Sequence, residues 1–118
     1  MQKLSDLIKW IDAEILTGVA ARDAEIETVY AGDRISDLLS QGREGTLLVT
    51  NLTGVHLLRV AELMDVPALC LLGDVFPEAE LTQAAKSRGT VLLVSRFGMF
   101  ETCGRLYQRL AITDEGQP

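Results

Sequence analysis

Thr46-Leu47-Leu48-Val49-Thr50 is the stretch on which the fold turns. It is short and almost wholly apolar, and it does not alternate between apolar and polar residues. A strand with one wet face alternates. A strand buried on both faces does not, and that is the pattern of a parallel sheet covered by helices on both sides. The pattern returns at Ala68-Leu69-Cys70-Leu71-Leu72 and at Val91-Leu92-Leu93-Val94. Between the runs lie apolar stripes at helical spacing, first Leu57, Val60, Ala61 and Met64, then Leu81, Ala84 and Ala85. Met99, Cys103, Leu106 and Leu110 form a further stripe after the third run. Strands alternating with helices in this way predict βαβ units, and right-handed crossovers lay the helices over the sheet. Pro77 falls where a first helical turn tolerates it, and Gly89 stands where a helix would close.

Toward the N-terminus the rhythm is less regular. Leu4, Leu7, Ile8 and Ile11 mark one helix face. Ile15-Leu16 reads as a short strand ended by Thr17-Gly18, residues 19–25 as a loop, Ile26 to Ala31 as a second strand, and Ile35 to Leu39 as a helix. This departure predicts a sheet that is mixed at one edge. The expected fold class is α/β: three layers, with a mostly parallel sheet flanked by helices. One domain is expected over residues 1–112, with a flexible tail over 113–118.

The bulk properties agree with one packed domain. The chain has 118 residues, 47% hydrophobic and 24% charged, a mix that supports a sizeable core without a metal or disulfide staple. Its formal net charge of −6 argues against nucleic acid and against an anionic membrane surface as partners. No run approaches the about 20 apolar residues of a membrane span. The first six residues lead straight into an amphipathic pattern, which is not that of a signal peptide. Cys70 and Cys103 are far apart and set among apolar neighbours, as buried thiols in a reducing cytoplasm would be.

Catalytic chemistry is hard to find in this sequence. His56 is the one histidine, and no serine or cysteine nucleophile stands beside it. One histidine and two scattered cysteines do not make a metal site. Asp33 and Asp37, four apart, admit a Mg²⁺ site, although capping and solvation of a 34–40 helix explain them more simply. Neither G-x-x-x-x-G-K-[ST] nor G-x-G-x-x-G occurs, and no cofactor is expected. Three strand-to-helix junctions carry polar or small residues: Thr50 to Gly54, Gly73-Asp74, and Ser95-Arg96. The carboxyl ends of strands are the binding edge of an open parallel sheet, and helix N-termini attract anions. Ordinary capping by Thr, Asn, Ser and Asp accounts for the same residues. Phe97, Met99, Phe100, Tyr107 and Leu110 form either core or a dimer face.

With these segments placed, the chain resembles the DRTGG domain family. The likeness is carried by Gly32-Asp33-Arg34-Ile35-Ser36-Asp37-Leu38-Leu39, by Gly45 to Thr50, by Gly73, and by Phe100-Glu101-Thr102-Cys103-Gly104-Arg105-Leu106-Tyr107. It runs from about Lys3 to Leu110. The resemblance implies a fold like the N-terminal domain of HPr kinase and a regulatory or assembly module that is not itself an enzyme. It also implies a homodimer, cytoplasmic, accompanying a hydrogenase or redox-enzyme partner, with an adenine nucleotide as the candidate ligand. The residues expected to bind are Asp33, Arg34, Thr50, Asn51, Thr53, Gly73, Ser95 and Arg96. Two features depart from the family pattern. Its paired glycines appear here as Gly73-Asp74, and the added carboxylate disfavours an anion. Its polar Gln-Thr-His run appears as Leu52-Thr53-Gly54, with His56 two residues on. The competing expectations are a structural adaptor without a ligand, and a small hydrolase or transferase using Asp33, Asp37 and His56.

Overall fold

A computed structural model describes residues 2–73 and 75–113. In chain order the elements are β1 (Gln2–Lys3), α1 (Leu4–Trp10), β2 (Glu14–Thr17), a 3-10 turn (Val19–Ala21), β3 (Glu25–Ile26), β4 (Thr28–Ala31), α2 (Ile35–Gln41), β5 (Thr46–Val49), α3 (His56–Met64), β6 (Ala68–Leu72), α4 (Ala79–Arg88), β7 (Val91–Ser95) and α5 (Met99–Thr113). The three apolar runs lie side by side and parallel, with Leu48 beside Leu69 and Cys70 beside Leu93. Strand β4 adds in parallel to β5, and β2 adds antiparallel to β7. The strand order is therefore β2-β7-β6-β5-β4, mixed at the β2 edge.

Side chains of successive strand residues point to opposite faces, and here both faces are dry. Leu47, Val49, Ala68, Cys70, Leu72, Val91 and Leu93 pack under α1 and α5 with Leu4, Leu7, Ile11 and Leu106. Leu48, Leu69, Leu71 and Leu92 pack under α2, α3 and α4 with Leu38, Leu57, Val60, Leu81 and Ala85. This is the three-layer α/β arrangement that the non-alternating runs predict. The sheet is shared by two separate apolar layers, so each central strand contributes to both.

Three local readings need correction. The expected strand over 26–31 is two strands. Residues Glu25–Ile26 pair antiparallel with Gln2–Lys3, and only 28–31 join the main sheet. The break falls at Glu27, whose N–H and that of Thr28 both donate to the Gly45 carbonyl, at 2.7 and 3.2 Å. Two donors on one acceptor interrupt a ladder. Pro77 is not in a first helical turn, because α4 starts at Ala79. Glu78 is extended (φ −62°, ψ 145°), and its N–H is held by the Thr53 carbonyl at 3.0 Å. Thr113, assigned to the tail, is the last residue of α5, and residues 114–118 lie outside those described. Gly89 does close α4, in the left-handed region at φ +70°. No helix among the described residues is long and apolar enough to cross a membrane.

Candidate functional site

Because β4, β5, β6 and β7 are parallel neighbours, their carboxyl ends reach one edge of the sheet. All eight expected binding residues follow those ends. Asp33 and Arg34 follow β4, while Thr50, Asn51 and Thr53 follow β5. Gly73 follows β6, and Ser95 and Arg96 stand at the end of β7. They form two groups along the edge.

The first group is knotted around the Asp33 carboxylate. Its Oδ1 accepts the Asn51 backbone N–H at 2.8 Å and the Thr50 hydroxyl at 3.3 Å. Its Oδ2 accepts the Asn51 side-chain amide at 3.5 Å. Thr50 Oγ1 in turn accepts the Leu52 N–H at 3.2 Å, which bends the chain into the approach to α3. Asp33 thus caps the loop after the neighbouring strand. It does not cap its own helix, which begins at Ile35 and whose N-cap, Arg34, makes no side-chain capping bond. Asp33 and Asp37 consequently do not share a helix face. Asp37 instead lies 3.9 Å from the Arg34 guanidinium. His56 is exposed at the first residue of α3. Thr53 contributes its carbonyl, which accepts the Glu78 N–H and ties this loop to the one after β6.

The second group is at β6 and β7. The Gly73 N–H donates to both Ser95 O and Phe97 O at 2.9 Å, with Gly73 at φ +52°. Ser95 is buried, and its Oγ lies 2.7 Å from Thr102 Oγ1. The Thr102 hydroxyl has Phe97 O at 3.1 Å, and Ser95 Oγ accepts the Phe97 N–H at 3.2 Å. Each hydroxyl has one proton. The satisfied pattern is therefore Ser95 donating to Thr102 and Thr102 donating to Phe97 O, with the Ile11 carbonyl at 3.4 Å the longer alternative for Ser95. This network locks the turn from β7 into α5. Arg96 pairs with Asp12 at 3.0 Å, on the turn leading into β2.

Sequence reasoning missed Thr102 as a member of this cluster and missed Phe76 altogether. Thr102 lies inside a helix stripe, where its hydroxyl has no signal of its own. Phe76 belongs to neither a periodic run nor a motif, and it is exposed on the connection from β6 to α4. Of the aromatic and Met set on and before α5, Met99 packs against the core, Phe97 is half-buried under the Arg105 guanidinium, and Phe100 and Tyr107 are exposed. Arg105 also binds Glu101, while the Trp10 indole N–H donates to Arg105 O at 2.7 Å and staples α1 to α5.

Both thiols are ill suited to nucleophilic work. Burial pushes Cys70 from 9.0 up to about 12, and burial also raises Cys103. Among the described residues no three His, Cys, Asp or Glu side chains gather to hold a metal ion. At the opposite, amino edge, Glu62, Asp65, Pro67, Arg88 and Thr90 line a cleft of about 250 Å³. Its arginine is already paired with Glu62.

No family model matches the chain, and no curated protein matches it. Among solved structures, it is similar to the CBS and DRTGG domains of the regulatory region of Clostridium perfringens pyrophosphatase, a structure complexed with that protein's activator, diadenosine tetraphosphate. The TM-score is 0.65 at 15% sequence identity, over 91% of this chain. The chain spans 46% of the length of that one. At that identity the likeness is one of architecture: the mixed five-stranded sheet with helices on both faces is a fold this chain shares with part of a CBS and DRTGG regulatory region.

Proposed function

We propose that this chain is a non-catalytic regulatory module that binds a small ligand at the carboxyl edge of its sheet. The observation that carries the reading is that Asp33, Arg34, Thr50, Asn51, Thr53, Gly73, Ser95 and Arg96 lie, in two groups, along the carboxyl ends of four parallel strands. Parallel strand ends are where open α/β sheets take their ligands. The two groups contribute differently. Ser95 is buried and acts by holding the β7–α5 turn, whereas Asp33, Asn51 and Arg34 offer polar atoms near solvent. An adenine nucleotide is the candidate ligand, supported by the shared fold with a region that binds one in another protein. Calorimetry on the folded protein with AMP, ADP, ATP and diadenosine tetraphosphate tests this. A saturable heat supports the reading, and no heat at millimolar ligand overturns it.

The module is further proposed to work as a homodimer in a cytoplasmic hydrogenase or redox complex. Tyr107, 76% exposed on the outer face of α5, supports a protein contact there. A structural adaptor without a ligand is the second reading, and that same exposed helix face favours it. Sedimentation velocity separates a 12.9 kDa monomer from a pair. A monomer at 100-fold dilution and at full concentration alike would remove the homodimer.

A further inference from the structure

The direction in which each strand's connection leaves the sheet singles out one point on the edge. The connections after β4, β5 and β6 lead to α2, α3 and α4, all packed on one face. The connection after β7 leads to α5, on the other face. Adjacent connections therefore part company only between β6 and β7. Where neighbouring connections leave for opposite faces, they open a crevice outside the strand ends, and ligands of open α/β sheets settle in it. The Asp33 knot lies where successive connections run to the same face, away from that crevice.

The residues at the crevice have a distinctive chemistry. Its floor is backbone: Gly73 is bonded to Phe97 O, and a Cβ added at Gly73 would meet Phe97 O at 3.7 Å and Gly98 Cα at 4.0 Å. Above Gly98 there is open space, because a Cβ there would meet nothing within 4 Å. The chain has three phenylalanines, and all three lie on the two connections that part here or in the first turn of α5. Phe76 is on the β6–α4 connection and 87% exposed; Phe100 is in the first turn of α5 and 93% exposed. Phe97 lies under the Arg105 guanidinium, whose carbon is 4.1 Å from the ring centroid. Each arginine of this edge has a carboxylate beside it, Asp37 near Arg34 at 3.9 Å and Asp12 bonded to Arg96 at 3.0 Å. In an acidic chain, a carboxylate beside each edge arginine reduces the positive field that would draw a phosphate. Exposed rings on or just after the connections that carry Gly73 and Gly98 are well equipped to hold a flat heterocycle.

We infer that the crevice between the β6–α4 and β7–α5 connections takes a planar heteroaromatic ring, a nucleobase in class, stacked by Phe76 and Phe100 over Gly73 and Gly98. This rests on the ligand-binding reading above and names what the site recognises, the base and not the phosphates. The test is calorimetry with adenosine, ATP, ribose 5-phosphate and tripolyphosphate. The proteins are the wild-type chain, Phe76→Ala, Phe100→Ala and the aromatic control Phe76→Tyr. Both rings are solvent-facing, so the substitutions leave the circular dichroism spectrum and melting temperature in place. Adenosine is expected to bind within about tenfold of ATP, and the two base-free compounds not at all. Each alanine variant should weaken adenosine by about 5- to 150-fold, the range of a lost base–aromatic stack, while Phe76→Tyr retains it.

Failure of the crevice and failure of the ligand reading give different results. Nucleotide binding that survives both alanine substitutions, or tripolyphosphate binding as tightly as ATP, overturns the stacking site and leaves a ligand-binding module. So does a loss of self-association in the alanine variants with nucleotide binding unchanged, which makes the rings a protein contact. No binding of any nucleotide to the folded wild-type chain overturns both.

Discussion

Ser95 and Thr102 show how much one buried hydroxyl pair can organise. Their 2.7 Å contact is buried, and it passes on to the Phe97 N–H and C=O at the point where the chain leaves the sheet for α5. Ser95→Ala leaves the Phe97 N–H and the Thr102 hydroxyl short of a partner, and should lower stability by about 1–3 kcal/mol in urea titrations. Adding Thr102→Val should cost less than the sum of the two single changes, because both remove the same bond. Cys70 supplies a second measurable effect. Its thiol titrates near 9.0 when unfolded and about 12 when buried, chiefly through desolvation. The unfolded state therefore loses its proton first as pH rises. The contribution is complete below pH 9 and is lost progressively between about 9 and 12. A raised value of about three units corresponds to roughly 4 kcal/mol over that window. The midpoint of urea unfolding should fall across it, and Cys70→Ala, itself less stable, should show a flatter alkaline slope.

Among the elements, the β2 edge strand depends most visibly on one residue. Its ladder with β7 shifts register between Ile15 and Thr17, and the Thr17 hydroxyl bonds Thr90 O at 2.7 Å. Gly18 follows at φ +77°, so close to β7 that a Cβ would lie 2.6 Å from Thr90 O and 2.7 Å from Val91 Cα. Gly18→Ala combines left-handed strain with a backbone clash and should cost about 2–4 kcal/mol. Gly104 is the contrasting case. It lies within α5, exposed, where a Cβ would meet nothing within 4 Å. Gly104→Ala should stabilise the fold by up to about 1 kcal/mol of helix propensity and so raise the denaturation midpoint. Opposite signs for the same substitution, read by thermal and urea melts, test the two placements together.

The whole molecule is held by a sheet that belongs to both apolar layers. Truncating a strand residue on one face disturbs the strand that the other face packs on, so the layers cannot separate one at a time. Unfolding should accordingly be a single transition. Trp10 fluorescence reports the α1–α5 side, and Tyr30, packed with the α2–α4 layer and read in a Tyr107→Phe background, reports the other. Far-UV circular dichroism should coincide with both. A Trp10 transition at lower urea than the rest would show that α1 and α5 detach on their own.

The division between what sequence determined and what tertiary structure decided follows from the range of the forces involved. Leu47-Leu48-Val49, Ala68 to Leu72 and Val91 to Val94 announced strands buried on both faces, because burial is written in residue type and period. The stripes between them announced the helices, and the alternation of the two placed seven polar residues and Gly73 at one edge. The break at Glu27 was not legible, since it is made by the Gly45 carbonyl eighteen residues away in sequence. Nor was the role of Asp33, whose spacing from Asp37 suggests a helix face but whose carboxylate caps the loop after the neighbouring strand. The crevice between β6 and β7 was hidden for the same reason. Residue pattern says that a helix follows each strand, but the face on which that helix packs is a property of the folded sheet. Only the packing of α5 opposite α4 puts the connection that carries Phe76 and the one that leads to Phe100 on opposite sides of one crevice.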